Sequence, residues 1–164
     1  MYNLTAIGKM LSFSAFTAFL AVSASAESLP AATSYKAILN VQDLFHGNKE
    51  CPSGWIPLAD SGQGIDSLAG SFSFTEQFCV DPATGVFRGD FVISHGSDEY
   101  GGPFNGTFVP SAGAFEVHAT WRITRGSGTF SGIRGAGTGK GVASDNGGVP
   151  GVGAVLLDGA VHLP

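Results

Sequence analysis

The segment Phe115-Glu116-Val117-His118-Ala119-Thr120-Trp121-Arg122-Ile123-Thr124 alternates apolar and polar side chains without a break. It leads through Gly126 and Gly128 to Gly135, Gly137, Gly139 and Gly141 at every second position. Period two marks a strand with one face on a core. Phe115, Val117, Ala119, Trp121 and Ile123 are the natural core face, and Glu116, His118 and Arg122 form a solvated outer stripe. Were the lumen lined by the polar face instead, those three residues would be the best acid/base cluster in the chain. The four alternating glycines share one face of the next strand. Such a bare face lets bulky side chains from other strands approach the backbone, as curved sheets and small barrels require.

Working outward, the same alternation reads Tyr35 to Val41, Ser71 to Val80, Val86 to His95, Phe104 to Val109, Gly128 to Ile133, Gly135 to Val142 and Ala154 to Leu163 as further strands. Asp81-Pro82-Ala83-Thr84-Gly85 and Pro110-Ser111-Ala112-Gly113 suit tight turns. No window after residue 26 sustains an i, i+3, i+4 apolar pattern, and a glycine inside a helix costs about 1 kcal/mol relative to alanine. The 25 glycines in 164 residues therefore disfavour helices. The expected fold is all-β, a small antiparallel barrel of about eight strands. Two segments are less regular: Ala31 to Ser34, and His46 to Leu68, which holds Cys51 and Trp55. The longer one is readable as a lid over a barrel mouth or as a stapled loop.

At the N-terminus, Lys9, the apolar run Met10 to Val22 and the small residues Ala24-Ser25-Ala26 have the layout of a secretory signal peptide. Cleavage after Ala26 leaves one domain, residues 27–164, with 7 Lys+Arg against 13 Asp+Glu. That acidic balance argues against nucleic acid and anionic membranes as partners. No later segment is long and apolar enough for a transmembrane helix, so no membrane association is expected after signal cleavage. In an oxidising compartment Cys51 and Cys79 pair as a disulfide, which stabilises by about 3–4 kcal/mol on the chain-entropy model.

Chemical motifs are sparse. The phosphate-loop pattern fails at Arg134 and Gly141, the dinucleotide pattern fails at Ser131, and Gly126-Ser127-Gly128 lacks the spacing of a nucleophile elbow. His46, His95 and His162 have no ligand spacing, so neither a metal nor a cofactor is expected. Asn105-Gly106-Thr107 is a glycosylation sequon inside a predicted strand. Phe72, Phe74, Phe91, Phe115 and Trp121 are expected to line the interior and to serve as the ligand-binding wall. Glu76 shares the face of Phe72, Phe74 and Phe78. It is the candidate catalytic residue if that face points inward, where burial raises a carboxyl pKa. Near the strand end, it stands instead at a solvated rim.

Gly89-Asp90-Phe91-Val92-Ile93, Gly102-Pro103-Phe104-Asn105-Gly106-Thr107-Phe108, Trp121-Arg122-Ile123-Thr124, the segment Gly126 to Gly141 and Leu157-Asp158-Gly159 together resemble the allene oxide cyclase-like barrels. The resemblance covers roughly Phe72 to Val161. It implies an eight-stranded barrel whose lumen can hold a small apolar molecule, with cofactor-free cyclases among the relatives. Three functions follow as expectations: a secreted barrel binding a small apolar ligand, a cofactor-free isomerase or cyclase, or a structural or host-interaction protein with a filled core. Intact mass of the secreted form should correspond to a chain starting at Glu27 with no free thiol. A distant start, or alkylation of the unreduced protein, would contradict this reading.

Overall fold

A computed structural model describes residues 31–148 and 150–163. The expected signal peptide, residues 1–26, lies outside the described residues. The described chain forms β1 (Thr33–His46), β2 (Ile56–Asp66), β3 (Gly70–Val80), β4 (Val86–His95), β5 (Asp98–Ser111), β6 (Ala114–Ile123), β7 (Arg125–Gly126), a single 3-10 turn (Gly128–Phe130), β8 (Arg134–Asp145) and β9 (Pro150–His162). The long strands pair antiparallel in the order β4-β3-β2-β1-β9-β8-β6-β5, and the β4–β5 pairing closes the ring. The protein is thus an eight-stranded antiparallel barrel. The two-residue β7 is appended to β5 at Tyr100 and Gly101. Among the described residues no helix is long and apolar enough to cross a membrane.

Strand number matches the expectation, but strand identity does not. The segment Gly128 to Ile133, expected as a strand, is the 3-10 turn and its exit. Its backbone is fixed by Asp98, whose Oδ2 accepts hydrogen bonds from the Thr129 N–H at 3.3 Å and the Thr129 hydroxyl at 2.8 Å. Gly128, at φ +58°, approaches the same carboxylate so closely that a Cβ there would lie 2.0 Å from its Oδ1. Conversely, much of the expected irregular connection His46 to Leu68 is β2, held in unbroken eleven-residue register with β3 from Ile56 opposite Val80 to Asp66 opposite Gly70. Its inward positions are Leu58, Asp60, Gly62, Gly64 and Asp66. That face has no apolar alternation to read, because rings from β3 cover its glycines. A Cβ on Gly64 would meet the Phe72 ring at 2.2 Å, and one on Gly62 the Phe74 ring at 2.8 Å.

Cys51 and Cys79 form the expected disulfide. On β3 the inward residues are Phe74, Glu76, Phe78 and Val80, so Cys79 projects from the opposite face, away from the lumen. The 47–55 loop is consequently stapled to the outer wall and is no lid. Three contacts besides the disulfide hold it there: the Arg88 guanidinium sits 4.8 Å from the Trp55 ring centre, Lys49 Nζ donates to Asp90 Oδ2 at 2.8 Å, and the Gly47 N–H donates to the Pro57 carbonyl at 3.0 Å.

The barrel has two unlike ends. At one end, where β2 meets β3 and β4 meets β5, Tyr35, Phe72, Tyr100, Ile123, Phe130 and Ile133 pack into a dense core. The connection between β6 and β8 supplies Phe130 and Ile133, which plug this end; Phe130 packs 5.0 Å from Tyr100 and 5.4 Å from His95 between ring centres. Toward the other end a second cluster forms around Leu58, Phe78, Phe87, Phe115 and Val117.

Trp121 links strands β6, β8 and β9 in the middle of the wall. Its ring lies over Gly137 and Gly159, where added Cβ atoms would be 2.4 and 2.6 Å from it, and its Nε1–H donates to the Thr138 carbonyl at 3.0 Å. Glu116, His118 and Arg122 point outward, with Glu116 and His118 forming an exposed pair at 3.5 Å. Trp121→Ala should accordingly cost about 3–5 kcal/mol in chemical denaturation, the range for removing a large buried aromatic. His118→Ala should stay within about 0.5 kcal/mol of the parent, as exposed substitutions do. The reverse ranking would mean that the two faces of β6 are inverted.

Candidate functional site

Above the sealed end, the lumen keeps a cavity of about 70 Å³, counted as room for the centres of water molecules, bordered by residues from all eight long strands. Since one water centre needs about 10–15 Å³, this is space for about five waters or for one small ring. The walls are almost wholly apolar. Phe78, Phe87, Phe91, Phe104 and Phe108 form one side, and Leu39, Val117, Trp121, Val155 and Leu157 the other. Leu44 joins the border because a bulge between Val41 and Asp43 reverses the alternation of β1.

The titratable residues on this border, among the described residues, are Asp60 and Glu76. They are direct cross-strand partners on β2 and β3, both facing inward, and such partners carry Cβ atoms about 5 Å apart. Burial raises the Asp60 carboxyl from its ordinary range to about 7. Burial first, and then the charge of Asp60, push Glu76 well above its usual value. Like charges held this closely in an apolar chamber cannot both ionise at neutral pH, so the pair retains a proton. Asp60 is only 6% exposed, and its Oδ1 has no hydrogen-bond partner.

Asp66, six residues further along the same face of β2, makes the opposite case. Its side chain is fully buried, yet Oδ1 accepts the N–H groups of Leu68 and Ala69 at 2.9 and 2.8 Å. Its Oδ2 is hydrogen-bonded by the Tyr100 hydroxyl and lies 2.9 Å from His95 Nε2. With the Tyr100 proton committed to Asp66, the Tyr35 hydroxyl donates to Tyr100 at 3.0 Å. Burial is the leading cause that pushes both tyrosine hydroxyls above their ordinary pKa. Asp66 is therefore a saturated structural acid that closes the β2–β3 turn and the sealed end, whereas Asp60 borders the cavity with its Oδ1 unpartnered.

Glu76, the candidate taken from the sequence, borders the cavity rather than the outer rim. Its partner Asp60 lies in the segment His46 to Leu68, whose composition predicts an irregular connection and so gives no cross-strand partner for Glu76. The signal available was the i, i+2 series Leu58, Asp60, Gly62, Gly64, which continues a strand without apolar side chains. All five expected interior aromatics are buried. Phe91 and Trp121 border the cavity, while Phe72 and Phe74 are packed near the sealed end and Phe115 lies against Phe108, with ring centres 6.2 Å apart. Among the described residues, no group of three or more His, Cys, Asp or Glu is placed to hold a metal ion.

Compared with known proteins, the chain gives no significant match to any family model, to the curated proteins or to the solved structures.

The carboxyl pair has a signature in stability. Its folded-state pKa values lie above those of an unfolded chain, so its favourable contribution is complete below about pH 4 and is lost as pH rises through about 7. Melting temperature should therefore fall between pH 4 and 7 by more in the parent than in the Asp60→Asn, Glu76→Gln double variant. At pH 7 the double variant should be the more stable by roughly 1–3 kcal/mol. Identical slopes would show that the pair is solvated.

Proposed function

We propose that this protein is a secreted binding barrel that holds a small, predominantly apolar molecule in its lumen. The observation that carries this reading is the cavity itself: it is walled by aromatic and aliphatic side chains and lies above the densely packed, sealed end of the barrel. Concave apolar sites with a few convergent polar groups are the usual form of small-molecule sites. The disulfide suits a non-reducing compartment, in keeping with export directed by residues 1–26. A barrel acting only through its outer surface has no use for open interior space, which weighs against a structural protein with a filled core.

The carboxyl pair favours a second reading, a cofactor-free isomerase or cyclase of the type implied by the resemblance to allene oxide cyclase-like barrels. A protonated carboxyl and an ionised one side by side supply an acid and a base to the same bound molecule. On this reading Glu76→Gln abolishes turnover of a reactive apolar substrate, whereas for a pure binding barrel it changes affinity little.

Toluene tests the shared premise. It should raise the melting temperature of the parent in proportion to the logarithm of its concentration, as ligands of the folded state do. Ala119→Phe, which fills the cavity border, should remove that response while leaving the circular dichroism spectrum unchanged. A parent protein indifferent to toluene would overturn the lumen as an apolar site.

A further inference from the structure

The chamber is electrically incomplete. Its border draws on every long strand of the barrel, and the charged or titratable side chains it includes are two carboxyls, with no Lys, Arg or His among its described residues. The basic groups of the neighbouring wall are engaged outside the lumen: Lys49 with Asp90, and Arg88 with Trp55. Buried carboxylates are ordinarily paired with a cation or saturated with donors. Asp66 meets that rule with four partners, whereas Asp60, only 6% exposed, has an Oδ1 that meets it with none.

Resting on the lumen as a small-molecule site, we propose that its ligand is an organic cation: a protonated primary or secondary amine on an apolar body about the size of one ring. The ammonium donates N–H groups to Asp60 and Glu76, and the body packs among Phe78, Phe91, Phe104 and Trp121. Three features select this chemistry. Two carboxyls provide too few oxygens for a hard metal cation, which takes about six or more, and an apolar wall supplies no others. An aromatic lining tolerates an ammonium better than other charged heads, because ring faces attract cations. The carboxyl pair also adapts to its load: empty, it retains one proton, and with an ammonium seated that proton is released to solvent, since the cation now offsets the second negative charge.

Calorimetric titration of the mature protein with benzylamine, benzyl alcohol and toluene at pH 7.5 tests this directly, the three probes being nearly equal in size. Benzylamine should bind at least about tenfold tighter than benzyl alcohol, the difference expected when a charge-assisted hydrogen bond replaces a neutral one. Its heat of binding should vary with buffer ionisation enthalpy in the sense of proton release, and its affinity should rise from about pH 5.5 to about pH 8 as the pair ionises. Asp60→Asn and Glu76→Gln, each checked for an unchanged circular dichroism spectrum, should shrink the amine's advantage to about twofold or less while toluene still binds. The proposal is overturned if benzylamine binds no tighter than benzyl alcohol, or if its advantage survives in both variants. Binding of toluene and benzyl alcohol without benzylamine would defeat the amine while leaving the apolar lumen intact; binding of none of the three would defeat both.

Discussion

A ring of eight strands encloses a fixed and narrow cross-section, and the barrel depends on how its rings are fitted into that space. The fit is made rung by rung, with an aromatic residue facing a glycine on the adjacent strand. Phe72 faces Gly64, Phe74 faces Gly62, Phe78 faces Gly89, Phe87 faces Gly106 and Trp121 faces Gly137. In each pair the ring or its Cβ occupies the place where a second side chain would stand, within 2.2 to 2.8 Å of an added Cβ. Glycines that weaken most strands are here what admits the core, and the rings in turn shield the bare backbone from water.

The cavity lies where that scheme lapses. Along β2 and β3 the inward rungs run Leu58 with Phe78, Asp60 with Glu76, Gly62 with Phe74 and Gly64 with Phe72. At the second rung neither partner is a ring, and two carboxyls stand where a phenyl group and a glycine would have filled the volume. Replacing a packed pair with an acidic one has a physical cost, which the raised pKa values of both groups register. Asp66 shows that this strand can bury an aspartate with every lone pair occupied. The contrast between the two aspartates is the strongest internal argument that the Asp60 rung serves a ligand rather than the fold.

How much of this was legible in the sequence depended on whether a strand's inward face carried apolar side chains. β6 announces itself through Phe115, Val117, Trp121 and Ile123, and the placement of Glu76 on the face of Phe74 and Phe78 follows from simple alternation. β2 has two glycines and two aspartates at inward positions, so its periodicity is expressed in contacts made by its neighbours and is invisible locally. The segment Gly128 to Ile133 has strand-like composition, but its path is set by Asp98, thirty-one residues away from Thr129 in the chain. The site of the disulfide loop was within reach: if Phe78 faces inward, Cys79 must face out. The pairing of Asp60 with Glu76 required knowing the β2–β3 register, which no local pattern supplies.

Thr33 at the start of β1 pairs with Val161 near the end of β9, so the first and last described strands lie side by side at the sealed end of the barrel. A tether or surface attachment placed at Thr33 or Val161 would hold the molecule by its base, with the chamber lying on the side away from the support. Immobilised copies could then sample solution without steric interference from their anchor. The same adjacency makes these two strand ends a natural place for a covalent link, with a new opening cut in one of the turns at the opposite end.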